Sequence, residues 1–334
     1  MNVFELTRAL VDIESVTENE LQVGSYLFGQ LSDLAAQTGG KVVRMPVEEN
    51  RFNVFAHWGD PVVTFSTHMD TVPPFFASRE DDEHIWGRGS CDTKGIIASM
   101  IFAVRELLDE GVQNLALLFV VGEERNSTGA FFAAQNGCGS KFLINGEPTE
   151  NKLALGSKGA LRLEVETHGR MAHSAYPELG ESAIDKLLDL LSDFRTLRLP
   201  SHNVLGQSTL NIGTISGGRA PNVIPDLARA EIFIRLVDDG AHTRAEVQRL
   251  VDGRAELREV LLVPAVHLGS LPGIETTIVS FTTDIPALGD AWGQPFLLGP
   301  GSIHVAHTSE ERISKKEIIE AVQIYKRMVK QLTG

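Results

Sequence analysis

Short apolar runs that each end in a turn bearing a carboxylate or an imidazole constrain this 334-residue chain more than any other feature. Pro61-Val62-Val63-Thr64-Phe65-Ser66-Thr67 leads into His68 and Asp70, Leu115-Ala116-Leu117-Leu118-Phe119-Val120-Val121 into Glu123-Glu124, and Lys141-Phe142-Leu143-Ile144 into Glu147. Asp92 sits between glycines in GRGSCDTKG, and His307 follows Gly299-Pro300-Gly301. Apolar runs of this kind read as buried strands, and in open α/β sheets ligands bind beyond the carboxyl ends of the strands. Five clusters of ligating residue types, with no excess of Lys or Arg to neutralise them, point to one cation site.

The spacings refine this. His68 and Asp70 fall on one face of an extended segment. There the carboxylate suits a supporting role, accepting the imidazole's second N–H and fixing its tautomer, although an isolated His-x-Asp is also an ordinary polar strand end. Asp92 precedes a helix predicted over Thr93 to Leu108, with Ile96, Ile97, Met100, Ile101, Val104 and Leu107 on its packing side, and either caps that helix or binds a ligand. Adjacent Glu123 and Glu124 repel each other unless solvated or bridged by a cation or proton. Pointing in different directions, one can ligate a metal while the other works as a general base.

The ordered set HMDTVP, GRGSCDTKG, GEERNSTGA, INGEP, GRMAHSA, SGGRAPNVIP and GPGSIHVAH resembles the co-catalytic zinc amidohydrolase and exopeptidase family. That family contains acetylornithine deacetylase, succinyl-diaminopimelate desuccinylase, acetyl-lysine deacetylase, aminoacylase and glutamate-releasing carboxypeptidases. The resemblance runs from about Phe4 to the C-terminal helix. It implies two zinc ions, replaceable by cobalt or manganese, with His68 and Glu147 on one, Glu124 and His307 on the other, and Asp92 bridging both. It further implies that Asp70 orients His68 and that Glu123 is the general acid/base on the bridging water. His304 also follows the Gly299-Pro300-Gly301 turn, but the stretch His307-Thr308-Ser309-Glu310-Glu311 matches the family's ligand position, so the role falls to His307.

Domain organisation follows from pattern. Residues 1–157 alternate helical stretches with strands near 41–47, 52–58 and 61–67, and Thr17-x-x-Glu20 predicts a capping box before a helix ending at Gly39-Gly40. After Gly156 the sequence Leu161 to Thr167 alternates strictly, as a half-exposed antiparallel strand does. The predicted order is then strand, helix (182–194), strand (208–215), strand (228–236), helix (243–251) and strand (260–266), the βαββαβ order of a ferredoxin-like fold. The fold class is thus α/β: a mixed-sheet catalytic domain over 1–157 and 269–334, with an inserted α+β lid or dimerisation domain over 158–268. A final helix opens at Ser314-x-x-Glu317.

The resemblance extends to the inserted domain. His173 matches a histidine that stabilises the tetrahedral oxyanion, in several members from the partner subunit of a dimer, and it implies a homodimer formed through this domain. Asn222 and Arg235 match positions that bind the substrate's α-carboxylate, for which the planar guanidinium is suited. Gly217-Gly218 reads as a hinge or a turn. In the catalytic domain Gly299 and Gly301 would let the backbone approach a ligand closely, and Asp284 would line the pocket or cap a helix over 285–292.

A formal net charge of −14 argues against nucleic acid or an anionic membrane surface as partner. No apolar run reaches the ~18–20 residues of a membrane helix, the start lacks a basic region followed by an apolar stretch, and two cysteines imply no disulfide framework; the expected compartment is the cytoplasm. The activity expected is metal-dependent cleavage of the amide of an N-acyl amino acid, with acetylornithine and acetyl-lysine as model substrates. An exopeptidase or a desuccinylase would share the same metal site, and a non-catalytic amino-acid-binding protein is the remaining alternative.

Overall fold

The apolar runs form strands where their pattern places them. The computed structural model describes residues 1–334. Ten strands build its two main sheets: β1 (Lys41–Glu48), β2 (Arg51–Trp58), β3 (Val63–His68), β4 (Leu115–Val120), β5 (Phe142–Asn145), β6 (Gly159–His168), β7 (Thr209–Gly217), β8 (Leu227–Leu236), β9 (Glu256–Val263) and β10 (Gln294–Leu297). The α-helices are α1 (Val3–Val11), α2 (Leu21–Thr38), α3 (Gly95–Asp109), α4 (Thr128–Ala134), α5 (Ala183–Phe194), α6 (Ala241–Val251), α7 (Ile285–Leu288) and α8 (Lys315–Thr333). The chain divides into one unit of Met1–Leu155, Leu268–Thr277 and Thr283–Gly334, and a second of Gly156–His267 and Ile278–Thr282.

In the first unit the strands run in the order β1-β2-β4-β3-β5-β10. β4, β3, β5 and β10 are mutually parallel, while β2 pairs antiparallel with both β1 and β4. Every residue of β3 and β4 is buried, because both sheet faces are covered. Leu117 and Phe119 of β4 pack into the core shared with α1, α2, α3 and α8, whereas Leu118 and Val120 face Ala130, Ala133, Leu288 and Trp292 of the opposite layer. Each such side chain contributes roughly 1.5–3 kcal/mol of burial. In β4 both phases of the period-two alternation are apolar, so that strand reads as a continuous run, whereas β3 buries Thr64, Ser66 and His68 on its alternate phase.

Helix ends follow local chemistry in some places and tertiary demand in others. Gly39 takes a left-handed φ of 80° and closes α2, and the Ser314 hydroxyl accepts from the Glu317 N–H to open α8. The capping box predicted at Thr17 and Glu20 does not form: Glu20 makes no cap hydrogen bond. Its carboxylate instead takes two hydrogen bonds from the buried Arg51 guanidinium, at 2.6 and 2.8 Å, and the Thr17 hydroxyl donates to Asp70 at 2.8 Å. α3 begins at Gly95 rather than Thr93, since Asp92 and Thr93 adopt non-helical φ/ψ. Asp92 is therefore not its cap.

The second unit has the predicted βαββαβ order, with its sheet arranged β7-β8-β6-β9 and every pair antiparallel. Leu161, Leu163 and Val165 of β6 face a core completed by α5 and α6. The alternate residues carry charge: Arg162 pairs with Glu231, Arg258 with Glu164, and Arg229 with Glu166. This unit also takes in Ile278–Thr282, which the sequence pattern assigns to the first domain, because the Lys158 N–H donates to Val279 O and the Ser157 hydroxyl to Phe281 O. Gly217 ends β7, and Gly218 follows it with a left-handed φ of 74°. No helix is long and apolar enough to cross a membrane.

Candidate metal centre

The candidate ligands collect at one edge of the first unit's sheet because neighbouring parallel strands end there. His68 is the last residue of β3; Glu123-Glu124 follow β4, Glu147 follows β5, and the loop after β10 carries His307. Asp92 lies in the turn before α3, and the Asp92–Thr93 peptide is cis. His68 Nε2 is 3.0 Å from Asp92 Oδ1, while His307 Nε2 is 3.3 Å from Asp92 Oδ2 and 3.0 Å from Glu124 Oε1. Asp92 thus faces both histidines with its two oxygens. Ligand atoms of His68, Asp92 and Glu124 all lie within 4.8 Å of one another.

Asp70 is a hub rather than a simple imidazole prop. His68 Nδ1 donates to the Asp70 backbone carbonyl at 3.0 Å, with Asp70 Oδ1 farther away at 3.5 Å. That fixes the tautomer that leaves Nε2 free to ligate. The Asp70 side chain accepts the N–H groups of Gly122 and Glu123 on Oδ1, at 3.0 and 3.1 Å, and of Glu124 on Oδ2 at 3.2 Å. It therefore holds the backbone of both glutamates.

Electrostatics shows what the site lacks. Burial pushes Glu123 and Glu147 well above the ordinary carboxylate range and raises Glu124, with neighbouring carboxylates adding to the effect. Asp284 is buried, and burial pushes it up to about 7 against a hydrogen bond from Ser127. Asp92 is held below its usual value, burial being outweighed by hydrogen bonds from His307 and His68. Hydrogen bonds to Asp92 and then Glu124 raise His307 to about 10. Burial opposes charge on His68, but hydrogen bonds to Asp70 and Asp92 raise its pKa well above the ordinary value. Among these groups the only ion pairs involve the two histidines. A nest of carboxylates without Lys or Arg partners, beside two imidazoles and at ligand spacing, fits divalent cations.

Other expected residues fall as follows. His304 is exposed and makes no hydrogen bond to these groups, whereas His307 makes two contacts with them. A Cβ at Gly299 would meet Glu147 O at 2.5 Å, and one at Gly301, where φ is 89°, would meet Cys91 Sγ at 2.5 Å. The glycines are thus required by close approach of the segments that carry Glu147 and Cys91. Asp284 precedes α7 but makes no cap hydrogen bond. In the second unit, His173 pairs across strands with Val223, and the Ser174 N–H donates to Asn222 O, so His173 and Asn222 are neighbours. His173 Nδ1 accepts the Ala175 N–H at 3.1 Å. Arg235 is half-buried over the Phe233 ring and has no carboxylate partner.

Sequence spacing did not single out Glu311, whose buried carboxylate reaches the Asp92 turn, nor the bonds from Asp70 to the glutamate loop. Both join residues far apart in the chain. Glu311 does fall in the His307-Thr308-Ser309-Glu310-Glu311 stretch that carries the family resemblance, but no role was assigned to it.

A strand edge gathering two histidines and several carboxylates is a candidate metal centre, and comparison with known proteins specifies the class. Residues 64–331 match the model of peptidase family M20/M25/M40. The chain is 40% identical to a peptidase M20 domain-containing protein of Schizosaccharomyces pombe, over 98% of this chain and 84% of that protein. It is 36% identical to a probable carboxypeptidase of Aspergillus fumigatus, over 96% and 84%. Among solved structures it superposes on aminopeptidase PepT of Bacillus cereus with a TM-score of 0.83 at 18% identity, covering 100% and 98% of the two chains. A dinuclear metal binding peptidase of Bacillus subtilis gives 0.70 at 15%, covering 98% of each. The chain belongs to peptidase family M20/M25/M40, whose members are metal-dependent hydrolases.

Proposed function

We propose that this protein hydrolyses the amide bond of a small N-acyl amino acid, using two zinc ions. His68 and Glu147 would hold one ion, Glu124 and His307 the other, with Asp92 shared between them. The observation that carries this reading is the placement of Asp92, one oxygen toward each histidine, within a nest of carboxylates that no Lys or Arg pairs with. Bound there, the metal pair would supply a Lewis acid for the amide carbonyl and for water.

The chain's own groups account for the remaining chemistry. Glu123 follows the Asp70-anchored turn, and burial raises its proton affinity, as suits a base that takes a proton from attacking water and returns it to the leaving amine. Because His173 Nδ1 accepts the Ala175 N–H, the ring proton lies on Nε2, which is the donor an oxyanion requires. Arg235, half-buried without a carboxylate partner, is suited to a substrate α-carboxylate, and Asn222 stands beside His173 to assist.

A second reading, carboxypeptidase action on a short peptide, is favoured by the naming of the Aspergillus relative and would use the same groups, since a C-terminal residue also offers a free carboxylate. The test is a hydrolysis screen of acetyl-, succinyl- and formyl-amino acids against dipeptides and tripeptides, with zinc, cobalt or manganese added after chelation. Turnover of acyl-amino acids at least tenfold faster than of peptides supports the first reading; the reverse supports the second. Full activity in a metal-free preparation would refute both.

A further inference from the structure

We propose that Glu311 is a positioning residue that sets the backbone at Asp92 and so couples the two halves of the metal centre. The inference rests on the reading of Asp92 and His307 as metal ligands. Glu311 stands four residues after His307 and is 1% exposed. Its Oε1 accepts two successive backbone N–H groups, from Cys91 at 3.2 Å and Asp92 at 3.1 Å. Its Oε2 accepts from Arg88 Nη1 at 2.6 Å.

Both ends of this clamp are themselves held. Arg88, 2% exposed, donates through Nε to Pro74 O at 3.2 Å and stacks over Phe76. The backbone carbonyl of Glu311 accepts the Gly87 N–H at 3.1 Å. A buried ion pair adds little net stability compared with an apolar replacement, so stability alone gives weak grounds for one here. What the carboxylate does that an apolar side chain cannot is receive two amides of a turn whose Asp92 and Thr93 are non-helical. One of those amides belongs to Asp92, the residue that faces both His68 and His307, and the other to Cys91 just before it. One side chain therefore links the His307 loop to the Asp92 turn.

The distinguishing substitution is Glu311→Gln. The amide keeps the shape, but whichever way it faces, its NH2 group meets either the two N–H donors or the Arg88 guanidinium. Zinc stoichiometry and stepwise dissociation constants, measured against a chromophoric chelator, read out the coupling directly. Wild type is expected to bind two equivalents; Glu311→Gln is expected to keep the first and bind the second at least tenfold more weakly. Its kcat should fall at limiting zinc and recover as zinc is raised, with KM unchanged. Glu311→Asp keeps the charge but withdraws it by one methylene, and supplies the same test if the Gln variant does not fold.

A folded variant that binds both equivalents with wild-type constants, even with a lowered denaturation midpoint, would overturn the proposal and leave Glu311 a structural residue. If wild type itself binds fewer than two equivalents, the metal-centre reading fails first, and this one fails with it.

Discussion

Asp70 Oδ1 accepts the backbone N–H of Glu123 at 3.1 Å, across 53 residues of sequence, while the Asp70 carbonyl receives the His68 ring proton. One residue thus determines how the imidazole presents Nε2 and where the glutamate turn runs. Burial would raise the Asp70 carboxyl, but the neighbouring His68 ring and hydrogen bonds from Thr17 and the Glu124 N–H hold it below its ordinary value. It is an anion maintained by donors.

Replacing Asp70 with Asn puts an NH2 group among N–H donors and leaves at least one of them unpaired, at about 1–3 kcal/mol. Asp70→Asn is expected to lower the denaturation midpoint and to reduce kcat at least a hundredfold through misplacement of Glu123. A variant with kcat within threefold of wild type would show that the glutamate turn holds itself.

The adjacent glutamates should separate by readout. Glu124→Gln removes an oxygen 3.0 Å from His307 Nε2 and is expected to lower metal content toward one equivalent. Glu123→Gln is expected to keep two equivalents while activity falls by several orders of magnitude, because the proton acceptor is gone and the ligand set remains. Elemental analysis of both purified variants decides; the opposite pattern would exchange the two roles.

Local pattern carried much of this fold, and the reason is physical. β4 and β5 are apolar at nearly every position because both sheet faces are covered, so their ends, and hence Glu123-Glu124 and Glu147, were visible as breaks in hydrophobicity, while β3 mixes Val63 and Phe65 with buried Thr64, Ser66 and Thr67 before His68. The strict alternation of β6 likewise exposed the second unit, whose sheet has one charged face. Side-chain bonds between distant segments left no such trace. Thr17 and Glu20 have the spacing of a capping box, yet tertiary partners, Asp70 and Arg51, claim both side chains. The glycines at 299 and 301 look like room for a ligand until Glu147 O and Cys91 Sγ are placed against them.

Asp284 carries a pH signature in metal-free protein. Its folded pKa, about 7, lies above the roughly 3.9 of an unfolded Asp, so the folded state holds the extra proton. The associated stability is fully present below the unfolded value and is lost as pH rises through about 7. Denaturation midpoints of chelated wild type should therefore fall between pH 4 and 7, and Asp284→Asn, which cannot ionise, should flatten that slope and be the more stable protein at neutral pH. Parallel slopes for the two proteins would mean that Asp284 is solvated or paired in solution.

The roles proposed for the second unit make kinetically different predictions. A donor that meets charge only in the transition state changes kcat, whereas a group that binds an unreacting carboxylate changes KM. His173→Ala, which removes the Nε2–H donor, is expected to lower kcat by about 10²–10³ with KM little altered. Arg235→Ala is expected to raise KM strongly for substrates with a free α-carboxylate and little for the corresponding amides. Assays of both variants on one acyl-amino acid and its amide separate the roles. If His173→Ala leaves kcat within about twofold, a change worth under ~0.5 kcal/mol, the oxyanion donor is another group; if Arg235→Ala raises KM equally for acid and amide, the arginine does not read the carboxylate.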